Sequence, residues 1–158
     1  MKKIFAILVT LSLMCAACAA MADLETPDFD SMPAVVLEDE DTTVEEAAFE
    51  GEWVLKAAFA GRDYIYDQTL AESYDFNFMP YVIADGKITQ DEQNEFGEFV
   101  TVEMPYTFEA GQLQGEDKDG RAFAVELLED GNIVMSVFYP GEGDEMVCLS
   151  LFLTHPAE

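Results

Sequence analysis

Apolar residues recur at a period of two through most of the chain. Trp53, Leu55, Ala57 and Phe59 alternate with Val54, Lys56 and Ala58, and Tyr74, Phe76 and Phe78 alternate with Asp75 and Asn77. Phe123, Val125 and Leu127 alternate with Ala122, Ala124 and Glu126, and Val147, Leu149, Leu151 and Leu153 with Met146, Cys148, Ser150 and Phe152. Successive side chains of a strand point to opposite faces, so this period predicts β-strands. Strands are expected at about 52–60, 62–67, 74–83, 87–91, 96–103, 106–110, 112–117, 121–128, 132–139 and 145–153, with one or two pairs merging. Turn signals separate them: Asp85-Gly86, Ala110-Gly111, Asp119-Gly120, Asp130-Gly131 and Pro140-Gly141-Glu142-Gly143. Asp-Gly supplies the positive backbone dihedrals of tight hairpins. Parallel strands would need long crossovers, so the pattern predicts an antiparallel meander. Bare edges are removed if the meander closes, which predicts an all-β fold: a small barrel of eight to nine strands. A barrel of that size is filled by side chains or holds one small ligand.

Upstream the pattern changes. Thr42 to Glu50 reads as a short helix, with Thr42 and Glu45 at capping-box spacing and Gly51 as its stop. Asp23 to Asp41 holds eight acidic residues, Pro27, Pro33 and no basic residue, which predicts an extended, mobile tether. The chain opens with Met1-Lys2-Lys3, an apolar run from Ile4 to Met14, and small residues from Cys15 to Ala22. Charged, apolar, small is the order of a secretory signal. The apolar run is too short for a membrane-spanning helix, which takes about 20 residues. Two cleavage sites compete, one after Ala20-Met21-Ala22, the other before Cys18. The organisation expected is therefore signal peptide 1–22, acidic tether 23–41, short helix 42–50 and barrel 51–158.

Composition narrows the function classes. The chain has 33 acidic against 7 basic residues, a net charge of −26. Phosphate recognition needs clustered Lys and Arg, so nucleic acid is excluded as a partner, and anionic lipid surfaces are repelled. Either cleavage leaves Cys148 as the sole thiol of the folded part, so no internal disulfide can form.

Two resemblances follow from these residues. Cys15-Ala16-Ala17-Cys18 resembles the lipobox of bacterial lipoproteins, with Cys15 where leucine usually stands. It implies a lipid on Cys18 and a cell-envelope location outside a bacterial membrane; the Ala22 site implies a periplasmic or secreted protein instead. Gly51-Glu52-Trp53 at the head of the first strand resembles the lipocalin-like (calycin) families, as does the rhythm of Asp85-Gly86-Lys87-Ile88 and Glu129-Asp130-Gly131-Asn132-Ile133-Val134. That resemblance implies that Trp53 plugs one end of the barrel. Lipocalins often pack a basic residue of the last strand over the Trp, and residues 145 to 153 contain none.

Chemistry-bearing residues are sparse. His155 and Cys148 are read as a frayed terminal histidine and a packed thiol, without an oriented partner. Asp117-Lys118-Asp119-Gly120 misses the EF-hand positions and reads as a hairpin turn, and the oxygen-rich Asp91 to Glu95 reads as a solvated turn rather than a loose cation site. No catalytic residue, metal ligand or cofactor is expected, and the chain is read as a non-enzymatic monomer. The apolar content supports a cavity for a small apolar ligand, lined by Trp53, Phe76, Phe78, Phe123 and Val125. The alternative is an interaction or structural module with a filled core, whose acidic exterior meets a basic envelope protein. Mass spectrometry of the mature chain is expected to find a diacylglyceryl group on Cys18; a chain beginning at an unmodified Asp23 would remove the anchor.

Overall fold

The computed structural model describes residues 26–38, 42–66, 70, 73–74, 76–141 and 145–157. The proposed signal, Cys18 and both cleavage sites lie outside them. Among the described residues nine strands form one antiparallel sheet: β1 Gly51–Ala60, β2 Asp63–Ile65, β3 Tyr81–Ala84, β4 Lys87–Gln93, β5 Phe99–Glu109, β6 Gln112–Glu116, β7 Ala122–Leu127, β8 Ile133–Pro140 and β9 Met146–Thr154. The order is β2-β1-β3-β4-β5-β6-β7-β8-β9, and β1 also pairs with β9. Eight strands thus close a barrel, and β2 folds back on β1 beside it. The expected segments at 96–103 and 106–110 merge into β5. The expected strand at 62–67 is only Asp63–Ile65 among the described residues.

β1 is where closure is decided. Gly51–Trp53 pair with β3, while Val54–Ala60 pair with β9. The register with β9 shifts between Leu55 and Ala57, leaving Lys56 as an extra residue. Such a bulge bends the strand and reverses its phase. Trp53 and Leu55 therefore face the interior, as does Ala58, while Ala57 and Phe59 face out. The unbroken alternation expected from Trp53 to Phe59 is corrected here, since one inserted residue exchanges the two faces.

The outward residues are not left in water. Phe59, Phe152, Val134 and Leu128 form an outer cluster covered by Phe29, Met32 and Val35. Phe29 meets Phe59 edge-on at 5.2 Å between centroids and Phe152 at 6.2 Å. Arg62 lies over the Phe29 ring and pairs with Asp30. The strap is also held by its backbone. Val36 N–H donates to the Leu127 carbonyl at 2.8 Å, and Glu129 N–H to that of Ala34 at 3.0 Å. The mobile tether expected over 23–41 is thus corrected for residues 26–38, which strap the barrel wall. Its physical reason is the apolar triplet Phe29, Met32 and Val35 inside an acidic stretch.

The expected helix at 42–50 is a single 3-10 turn, Glu46–Phe49, preceded by Glu45 with no side-chain cap. Capping by Thr42 does not occur because the turn starts three residues later. Phe49 is fully buried and, with Val44, closes the end of the barrel at which β1 begins.

Gly115 in β6 sets the width of the wall. A methyl group there would meet the Pro105 carbonyl oxygen and the Phe123 ring, at 2.7 and 2.9 Å from two ring carbons. Phe123 pairs with Gly115 across the sheet and fills the space a side chain would take. Gly115→Ala is expected to destabilise the fold by about 1–3 kcal/mol, the usual range for overpacking. A lowered urea midpoint with an unchanged slope would show it.

Candidate functional site at the barrel mouth

The two ends of the barrel differ. At the floor, Gly51 adopts φ of +133°, a conformation side chains rarely tolerate, as the chain turns into β1. Trp53 then lies across the interior with no exposed surface, and its indole N–H donates to the Phe49 carbonyl at 2.8 Å. His155 stacks on the Trp53 ring at 3.8 Å and 28°, and its Nδ1 is 3.1 Å from the Glu52 carbonyl oxygen. The reading of His155 as frayed is corrected: the ring stack holds it in place. Cys148 lies nearer the other end of β9, with its Sγ 3.8 Å from the Ser150 hydroxyl.

Above the floor, among the described residues, the interior is closely packed. Trp53, Ala58, Leu113, Val125, Ile133, Leu149 and Leu151 have no surface that a water molecule could touch from either side. Close packing of this kind leaves no room for a guest around them.

At the mouth the lining becomes polar. A cavity of about 50 Å³ lies among Phe76, Tyr81, Gln90, Glu92, Asp117, Lys118, Arg121 and Tyr139, with Met104, Met135 and Val137 beneath. Each group is positioned by a nearby element. Asp117 Oδ1 accepts from the backbone N–H groups of Asp119 and Arg121, both at 2.9 Å, which shapes the turn between β6 and β7. That turn presents Arg121, whose Nε donates to Asp117 at 2.6 Å and whose guanidinium lies 4.6 Å from the Tyr139 centroid. Tyr139 hydroxyl donates to the Tyr74 carbonyl at 3.3 Å. Gln90 donates to the carbonyls of Met79 at 2.6 Å and Asn77 at 3.2 Å. These bonds, with the Asn77 Oδ1 turn onto Met79 N–H, hold 76–80 as an irregular lip, so the strand expected at 74–83 is confined to Tyr81–Ala84.

Charges at the mouth are matched within the protein. Lys118 pairs with Glu92 at 3.1 Å, and Arg121 with Asp117 and Asp119. Burial works against the Arg121 charge, but the hydrogen bond and charge of Asp117, with Tyr139 and Asp119, leave its pKa raised. Burial pushes the Tyr81 hydroxyl well above the ordinary tyrosine value, helped by Tyr139 and Glu92 and opposed by the Gln90 hydrogen bond.

The five residues expected to share a ligand cavity do not meet in one. Trp53 forms the floor, Phe123 and Val125 are packed in the wall, and only Phe76 of the five reaches the mouth. Phe78 is 39 % exposed and packs edge-on to Phe76 and Tyr66 outside. The polar groups of the mouth were not anticipated. Their signal was the inward phase of β4, where Ile88 is followed by Gln90 and Glu92. Comparison of the chain with family models, with curated proteins and with solved structures finds no match in any of the three.

A raised tyrosine pKa leaves stability unchanged below the ordinary value of 10.0. Above that pH the unfolded chain releases the proton and the folded chain retains it, so stability falls. Tyr81→Phe is expected to flatten this alkaline decline, read as the urea midpoint against pH.

Proposed function

We propose that this chain is an exported envelope protein, anchored through a lipid on Cys18, whose barrel works by surface contact without enclosing a ligand and without catalysis. The filled interior is the observation that carries this reading. A pocket for a drug-sized ligand occupies roughly 300–1,000 Å³. The mouth cavity of about 50 Å³ has room for a few waters, and the space of about 530 Å³ beside it, which shares Phe76, Glu92 and Val102 with it, is an open groove. The lining expected for an apolar guest is spent on packing, and the polar groups at the mouth are matched to one another.

What remains available is the exterior. With Lys2 and Lys3 removed, 33 acidic residues stand against 5 basic ones. Such a surface repels anionic lipid and attracts cationic proteins. The docked strap also shortens the spacer. If Cys18 is the anchor, only the segment from Cys18 to Pro27 separates lipid from barrel, a reach of at most about 30 Å. Kinship with the lipocalin-like lipoproteins is supported by Gly51, Trp53 and the His155 ring, which stands just beyond β9 where the family places a basic residue over the Trp.

Poly-lysine immobilised on a surface is expected to capture the mature protein at low salt and release it as ionic strength passes physiological values, where screening sets in at about 8 Å. Saturable uptake of an apolar fluorophore together with salt-independent retention would favour the enclosed-ligand alternative instead.

A further inference from the structure

β5 changes neighbours part-way along. Phe99–Pro105 pair with β4, and Tyr106–Glu109 pair with β6. β6 reaches only as far as Tyr106, paired with Gly115, before the chain folds into the turn at Asp117. Among the described residues no strand lies beside Phe99–Met104 on the side away from β4. Among the described strands the backbone of that stretch pairs with β4 alone, as in an edge strand.

Three further features meet at this edge. Phe96, Phe99 and Val100 are 79 %, 62 % and 44 % exposed, the first two more than any other aromatic residue described. An open groove of about 530 Å³ runs along the inner side of the hairpin, between Val100, Val102, Phe76 and Lys118. The segment from Asp91 to Glu103 carries five carboxylates and no basic residue; Glu92 and Glu103 are already paired, with Lys118 and Lys87. A second copy of this chain would bring the same carboxylates to the edge and be repelled, as would an anionic lipid surface.

We infer that the free edge of β5 accepts an extended cationic segment of a partner protein by strand addition. Backbone hydrogen bonds form along Phe99–Val102, alternate apolar side chains of the segment enter the groove, and its Lys or Arg side chains meet Glu95 and Glu98. In strand addition the main chain supplies affinity and alternate side chains supply specificity. The inference rests on the surface-contact reading and adds the surface and the chemistry of the partner.

The test uses the mature protein and an acetylated eight-residue peptide of alternating Val and Lys, read by amide hydrogen exchange. Saturating peptide is expected to slow exchange at Phe99–Val102 at least tenfold. Methylation of alternate peptide nitrogens and the double variant Glu95→Lys/Glu98→Lys are each expected to weaken binding at least tenfold. The methylated peptide leaves the protein untouched, so it decides the matter even if the variant misfolds. Peptide binding with protection elsewhere, or undiminished by methylation, overturns strand addition and leaves the surface-contact reading standing. Failure to bind both the peptide and poly-lysine overturns the two together. Equal protection of Phe99–Val102 by concentrating the protein alone, or by phosphatidylcholine vesicles, assigns the edge to a second copy or to lipid and overturns the inference.

Discussion

β1 has to satisfy three neighbours at once. Its first residues hydrogen-bond to β3, its remainder to β9, and its last three residues also to β2. A regular strand could not serve both walls of so small a barrel without splaying one of them. The extra residue at Lys56 supplies the bend, and every later feature of the wall inherits its consequence. Because the bulge reverses the phase, Ala58 joins the interior under Leu151, and Phe59 turns outward beside Phe152. An outward phenylalanine on a closed wall requires a cover, and Phe29 of the strap provides it. The bulge and the docking of the upstream segment are thus one structural event.

Closure also makes the two ends of the barrel chemically different. At the floor, the Trp53 ring is held between the Phe49 carbonyl and the His155 ring, and the 3-10 turn seals what remains. A hydrogen bond and a ring stack close the floor. At the mouth the tapering wall admits Gln90, Glu92 and Arg121, whose polar atoms stay within reach of water and of one another. A buried charge is tolerable only with a partner; the half-buried Arg121 pairs with Asp117, and Lys118 with Glu92 nearer to solvent. The same pairing matches the charges at the mouth to one another within the protein.

Much of the fold was legible because hairpins are local. Asp85-Gly86, Asp119-Gly120 and Asp130-Gly131 each mark a reversal, and the alternation of Phe123 with Val125 or of Leu149 with Leu151 marks a wall facing the core. Phe76 and Phe78 alternate equally well and are not in a strand, because the Gln90 side chain takes the carbonyls that a strand neighbour would use. The candidate site was less legible for a related reason. Its members stand far apart in sequence, Gln90 on β4, Arg121 at the start of β7 and Tyr139 on β8, and only the closed wall gathers them.

The sequence by itself determined the class of fold: alternating apolar residues with tight-turn dipeptides leave an antiparallel meander as the arrangement that satisfies both. It also determined the acidity of the surface, since charge is a sum over residues and does not depend on where they go. Which face of each strand lies inside was decided by tertiary structure alone. Phase is carried by pairing, and a single unpaired residue at Lys56 shifts it without leaving any trace in hydrophobicity. The same holds for His155, read as a loose end until the closed barrel set it against Trp53, and for the interior itself, whose apolar residues would line a cavity or fill it equally well until the wall fixed how far apart they stand.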